Sequence, residues 1–298
     1  MKSINQTNTS LYEFLDQQVN AFRQNFLTTR LTMDQEAIHQ MRVAVKKINT
    51  IHKLKKHLDF PITIDEKLFE LISTIYSNSG MLRDVQLQHT LLYSYRKNLK
   101  CGFTELQDFL TLTEIHLEET LKGVISGIDP ELVENLTEPK HLPEKPEIYL
   151  NIENESLNFI QKKISKISRL LIYLETESKV HDLRKQTKQL LFVLQFLQNN
   201  FPQSNFGSYK VKTFIRIAEK LGKWNDLQMF VNQVNSFLIT QPPDFQEDHS
   251  EYYLLTKNIE NDKQRLIRNL DLMLYLEIIK LRIHLNLDNQ IAVLEKND

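Results

Sequence analysis

One stretch constrains this chain more than any other: His39-Gln40-Met41-Arg42-Val43-Ala44-Val45-Lys46-Lys47, whose pattern occurs twice. His39, Arg42 and Lys46 recur 142 residues later as His181, Arg184 and Lys188. The same shift carries Gly80 onto Gly222, Asp84 onto Asp226 and Gln86 onto Gln228. Within each copy the His and the Asp stand 45 residues apart, so both blocks keep one register. Such a doubled constellation marks an internal duplication.

Each copy carries helical spacing. His39, Arg42 and Lys46 stand at i, i+3 and i+7 and share one face of an α-helix, a line that Asn49 and Lys53 extend. Ile38, Met41, Val45 and Ile48 form an apolar stripe beside it, and Val180, Leu183, Leu190, Leu194 and Leu197 do the same in the second copy. Each helix therefore buries one flank and offers a cationic ridge on the next. A ridge placed beside the core faces a groove or a partner helix.

Composition narrows the class. The 298 residues are 41% hydrophobic and 25% charged, ordinary for a globular chain, and only six Gly and eight Pro are present, which favours helix. The single Cys101 excludes an intrachain disulfide framework and fits a reducing compartment. No apolar signal core and no run of about 18 apolar residues occurs. The expectation is a cytoplasmic protein with no membrane span. A net charge of −1 argues against a general nucleic-acid coat, yet the charge is uneven. Residues 36–56 hold six Lys/Arg against Glu36, residues 210–223 hold five against Glu219, and residues 105–155 carry thirteen acids against three Lys. The local field matters more to an anionic ligand than the total does.

Punctuation gives the helices. A capping-box pattern at Ser10-x-x-Glu13 predicts a helix from there to about Arg30. Further helices are predicted from about Met33 to Leu58 before Pro61, over 65–79 ending at Gly80, from Asp84 to Lys100, and over 103–125. Asp84 and Asp226 follow a Gly and precede apolar helices, so N-capping is their default role. Gly127, Pro130, Pro139, Pro143 and Pro146 then punctuate an acidic linker, about 126–148, between a first repeat at about 9–125 and a second at about 149–297. In the second repeat helices are predicted over 151–175, 179–200 with Ser178 as N-cap, 207–221 and 225–240, followed by a long periodic segment over about 250–295, in one piece or broken in two. Every proline falls between predicted helices. The fold class is all-α: one domain over 1–298, built from helical bundles.

Assembled in this order, the motifs resemble a CHAD domain, the conserved-histidine α-helical domain, along essentially the whole chain. "HQMRVAVKK" and "HDLRKQTKQLL" match its His-x-x-Arg-x-x-x-Lys/Arg segments, and "GMLRDVQLQ" and "LGKWNDLQ" resemble its Leu-Gly-x-x-Arg/Asn-Asp signature. The resemblance implies two pseudo-symmetric four-helix bundles around a basic central groove or pore. It also implies binding of inorganic polyphosphate, a property associated with members of that family. On that resemblance His39, Arg42, Lys46, Lys47, His181, Arg184, Lys185 and Lys188 line the pore, with Lys53 prolonging the first ridge. The chain departs from the pattern at Asn49, Gln189 and Leu191. Lys212, Arg216 and Lys220 stand at i, i+4 and i+8, whereas the first repeat has Glu70, Thr74 and Asn78. A lopsided site, stronger in the C-terminal half, is therefore expected.

A regularly charged polymer with no bases to read needs a row of cations: lysine as a point charge, arginine as a planar fork. His39 and His181 serve either as ligand contacts or as structural bonds. Nucleic-acid binding is disfavoured because no exposed aromatics interleave the basic faces. A phosphoprotein-docking adaptor and a phosphohydrolase remain alternatives. The chain has no phosphate loop, nucleophile elbow or evident dyad, so no enzyme and no cofactor are expected. His52 and His57 are the nearest approach to a metal pair, and no metal site is expected. Glu175-x-Glu177-x-Lys179 matches a phosphohydrolase signature that belongs on a strand, and here it straddles a helix junction.

Overall fold

A computed structural model describes the backbone of residues 2–58, 66–134, 150–172, 176–200, 202–241 and 249–287. Side chains are described over 15–50, 52, 70–134, 155–172, 176–199, 202–241 and 250–287. The described residues are helical and contain no strand. The elements are α1 (Lys2–Thr32), α2 (Gln35–Leu58), α3 (Glu66–Leu99), α4 (Thr104–Ser126), α5 (Pro130–Glu134), α6 (Leu150–Leu171), α7 (Glu177–Asn200), α8 (Asn205–Ser208), α9 (Lys212–Thr240), α10 (His249–Ile267) and α11 (Leu270–His284).

The 142-residue shift organises these helices. It carries the bounds of α2 onto those of α7, and it brings α1, α3 and α4 onto α6, α9 and α10 to within a few residues. Ordinary chain chemistry sets the ends. Met33 turns the chain with φ 53°, and Asp34 Oδ1 accepts the Ala37 amide at 2.8 Å, so Asp34 caps α2. Phe103 and Asn269 adopt left-handed φ of 48° and 60° ahead of α4 and α11. The described part of the periodic C-terminal segment, to residue 287, therefore holds two helices, α10 and α11.

Several boundaries differ from expectation. Gly80 does not end a helix; α3 and α9 each run unbroken through the glycine, because a lone Gly costs a helix only about 1 kcal/mol and leaves its hydrogen bonds intact. Asp84 and Asp226 consequently lie inside helices and cap nothing. Ser10 lies well inside α1, and Ser178 lies inside the first turn of α7, where Thr176 O accepts the Lys179 and Val180 amides. The expected linker contains α5, docked on α1 through Arg23 Nε to Val133 O at 3.1 Å, and Arg30 Nη1 holds the turn ahead of it through Ile128 O at 2.8 Å.

Among the described residues two apolar cores form, and each draws on both repeats. The larger gathers the inner faces of α1, α2, α6, α7 and α11 with the N-terminal parts of α3 and α9. The smaller joins the C-terminal parts of α3 and α9 to α4 and α10, with Phe109 against Phe237 at 5.4 Å and Phe103 against Tyr252 at 5.5 Å. Tyr95 also donates to Asp262 Oδ2 at 2.8 Å across the repeats. Helices α2 and α7 meet, α3 and α9 meet, and each of α2 and α7 packs on the long helix of its own half. The seam among these four helices holds the candidate site.

Candidate functional site

Four residue stripes wall a cleft of about 720 Å³ along that seam. From α2 come His39, Arg42, Lys46, Asn49 and Thr50, and from α7 His181, Arg184, Lys185, Lys188, Gln189 and Phe192. From α3 come Tyr76, Arg83, Asp84 and Leu87, and from α9 Gly222, Asn225, Asp226 and Met229. The i, i+3, i+4 and i+7 spacing that aligns each stripe also sets its other flank in the core: Ile38, Met41 and Val45 are fully buried under the first ridge. The guanidinium groups of Arg42 and Arg184 thus share one space.

Charge in the cleft is balanced between halves. Arg42, Lys46 and Arg83 come from the first and Arg184, Lys185 and Lys188 from the second, against two acids, Asp84 and Asp226. The expected excess in the C-terminal half is not there. Lys212, Arg216 and Lys220 lie outside the lining: at 100° per residue they project about 60°, 100° and 140° around α9 from the direction midway between Gly222 and Asp226, and Lys212 also lies more than two turns before Gly222. Lys212 and Arg216 are exposed, and Lys220 Nζ lies 4.0 Å from Met273 Sδ on α11. Lys47 is half-buried outside the lining. The side chain of Lys53 lies outside the described residues, as do His57 and Glu175. Glu177 and Lys179 sit in the first turn of α7 and not on a strand.

Crowded cations perturb one another. Burial chiefly, and then Arg42, Lys188 and Arg184, push the Lys46 ammonium down to about 8, while Asp84 pulls the other way. Burial and Arg184 lower Lys188 in the same sense, opposed by Asp226. Burial likewise lowers Arg42, which as a guanidinium stays charged. Burial raises both carboxyls above the usual aspartate value; their mutual repulsion adds to this at Asp84, and the neighbouring cations oppose it. Among the described residues no ion pair within 4.0 Å joins either carboxylate to a cleft cation, and the Lys46 and Lys188 ammonium groups meet no hydrogen-bond acceptor.

The paired positions are not copies. His181 Nδ1 bonds Asn225 Oδ1 at 2.8 Å. In the first half the position of Asn225 is held by Arg83; burial and that guanidinium lower His39, which favours a neutral imidazole. Arg42 Nη1 donates to the Tyr76 carbonyl and to Ser79 Oγ at 3.4 Å, and its Cζ stacks 4.3 Å from the Tyr76 ring centroid. A Cβ at position 80 would stand 2.7 Å from Arg42 Nη1, so glycine is what admits the guanidinium there. Sequence reasoning passed over Arg83 and Tyr76 as site residues. The break in the repeat at Arg83/Asn225 is the signal that marks the first; nothing in the spacing marks the second.

Comparison with known proteins agrees with this architecture. The crystal structure of the CHAD domain from the plant Ricinus communis superposes with a TM-score of 0.57 at 16% identity, covering 93% of this chain and 90% of that one. PptA from Streptomyces chartreusis gives a TM-score of 0.60 at 12% identity, over 91% of this chain and 98% of that one. No curated protein matches the sequence. The family model described as "CHAD domain" matches residues 13–233, a span that takes in both histidine ridges, both Gly-to-Asp segments and the cleft between them. This chain belongs to the CHAD domain family.

Proposed function

We propose that the cleft binds inorganic polyphosphate and that it does so without turning it over. The observation that carries this reading is the meeting of Arg42, Lys46, Arg184 and Lys188 in one space, with Lys46 driven down to about 8 by burial and by its cationic neighbours. Like charges forced together in a partly desolvated seam are relieved by an anion, and a polymer with a charge on every unit relieves several at once. The association of the family with this polymer points the same way.

Nucleic acid fits the lining less well. Stacking of bases needs free aromatic faces, and of the two aromatic residues in the wall Tyr76 already carries the Arg42 guanidinium. Binding of long-chain polyphosphate is expected to fall steeply with added salt, as counterion release requires by analogy with nucleic acids. Titration of the polymer into wild type and into an R42E/K46E/R184E/K188E variant tests the proposal. Equal affinity for the two overturns it, competition by short RNA at matched charge turns it toward nucleic acid, and phosphate release with Mg²⁺ removes the claim of no turnover.

A further inference from the structure

The two halves of the cleft are related in sequence, but their arginines are held differently. Arg42 is committed within the protein through the Tyr76 carbonyl, Ser79 Oγ, the Tyr76 ring and the space left by Gly80. The residues 142 positions beyond Tyr76 and Ser79 are Ala218 and Leu221, so Arg184 has neither ring nor hydroxyl to rest on. Its Nε is buried with no acceptor in the protein. Arg83 is in the same condition: its Nε is buried without an acceptor, and its Nη1 stands 3.5 Å from Gln86 Oε1, the outer limit of a hydrogen bond. The counterpart of Arg83 is Asn225, whose side-chain oxygen is already engaged with His181. A buried N–H with no acceptor is costly, and a phosphate oxygen is the acceptor that a charged planar fork suits best.

We propose that Arg83 and Arg184, one from each half but not repeat-related, are the two forks that grip phosphate oxygens, while Arg42 is a positioning residue that fixes α2 against α3. This assignment rests on the polyphosphate reading of the cleft. It places the gripping pair diagonally across the seam, so the bound polymer runs from the Arg83 wall on α3 toward the Arg184 wall on α7, and the pseudo-symmetry of the sequence is not the symmetry of the site.

Long-chain polyphosphate titrated into the full chain at several salt concentrations tests this. R83Q and R184Q are each expected to weaken binding about tenfold or more. Each is also expected to lower the slope of log affinity against log salt by about one. R42Q is expected to lose less affinity and to lower the melting temperature. Phenylglyoxal labelling read by mass spectrometry gives an independent measure, with Arg83 and Arg184 modified before Arg42 and shielded by the polymer. If R42Q suffers the largest loss of affinity, or if Arg42 is the arginine shielded, the assignment is overturned and the reading of the cleft stands. If wild type has no affinity for polyphosphate, the reading of the cleft fails and the assignment goes with it.

Discussion

Lys46 is the residue at which the cleft's electrostatics become measurable. The titratable groups that share the cleft with it are Arg42 and His39 on its own helix, Arg83 and Asp84 on α3, Arg184, Lys185 and Lys188 on α7 and Asp226 on α9. Folding lowers the proton affinity of its ammonium from the ordinary lysine value to about 8. The folded chain therefore carries a penalty below about pH 8 that is relieved as pH rises toward the unfolded value, because there the unfolded state binds the extra proton. A bound polyanion reverses the shift and holds the proton on. Binding is then expected to take up a proton near pH 8, and wild-type affinity to fall between pH 7 and pH 9, while K46R, charged throughout at that position and left with Lys188 alone to titrate, falls less. Titration of both proteins in buffers of different ionisation enthalpy checks this; parallel pH profiles would refute it. Asp84 and Asp226 work in the opposite sense. Their raised carboxyls disfavour the folded state at neutral pH and oppose an anion, so D84N/D226N is expected to bind polyphosphate more tightly and to melt at a higher temperature.

At the scale of the helix, the two repeat-related glycines part company. A methyl group at Gly222 would lie 3.9 Å from Lys188 Nζ, an ordinary contact, whereas one at Gly80 would stand 2.7 Å from Arg42 Nη1. Since alanine is preferred over glycine inside a helix by about 0.5–1 kcal/mol, G222A is expected to stabilise the chain by that amount. G80A is expected to destabilise it, because displacing the guanidinium forfeits hydrogen bonds whose loss costs about 1–3 kcal/mol. Urea unfolding of the two variants reads the difference, and equal shifts would contradict the account of Arg42. The same glycines show what was legible beforehand. The ridges on α2 and α7 could be read because a single period fixes both the buried flank and the exposed one. The continuity of α3 and α9 could not, since whether a glycine breaks a helix depends on what packs across it. Lys212, Arg216 and Lys220 share a face, but the side of the molecule that face turns toward is decided by the packing of α9 on α7 and α3. Arg83 reads as part of the GMLRDVQLQ motif and not as a cleft residue for a related reason: it is brought beside His39 and Arg42 of α2 by packing, which sequence order does not supply.

For the molecule as a whole, the decisive fact is that neither core belongs to one repeat. The smaller core pairs Phe109 with Phe237 and Tyr95 with Phe230, contacts that cross from the first half to the second. Each large apolar side chain left without its partner forfeits about 1.5–3 kcal/mol of burial. Residues 1–134 expressed alone are therefore expected to keep helical circular dichroism but to lose a cooperative melt, the mark of a loosely packed helical state, while the full chain melts cooperatively. A sharp transition in the isolated half would refute the shared cores. Duplication supplied two similar sets of helices, and the fold then divided their side chains between two interiors and one charged seam.

The only tryptophan of the chain, Trp224, is buried one residue away from the cleft-lining Asn225, with Lys263 Nζ 5.2 Å from its ring. Its indole packs in the larger core on α9, the helix that lines the cleft with Asn225 and Asp226. Untagged protein carries its own optical reporter, and a change in emission on filling the cleft would be read from a single known position, with no second chromophore of its kind to blur the signal.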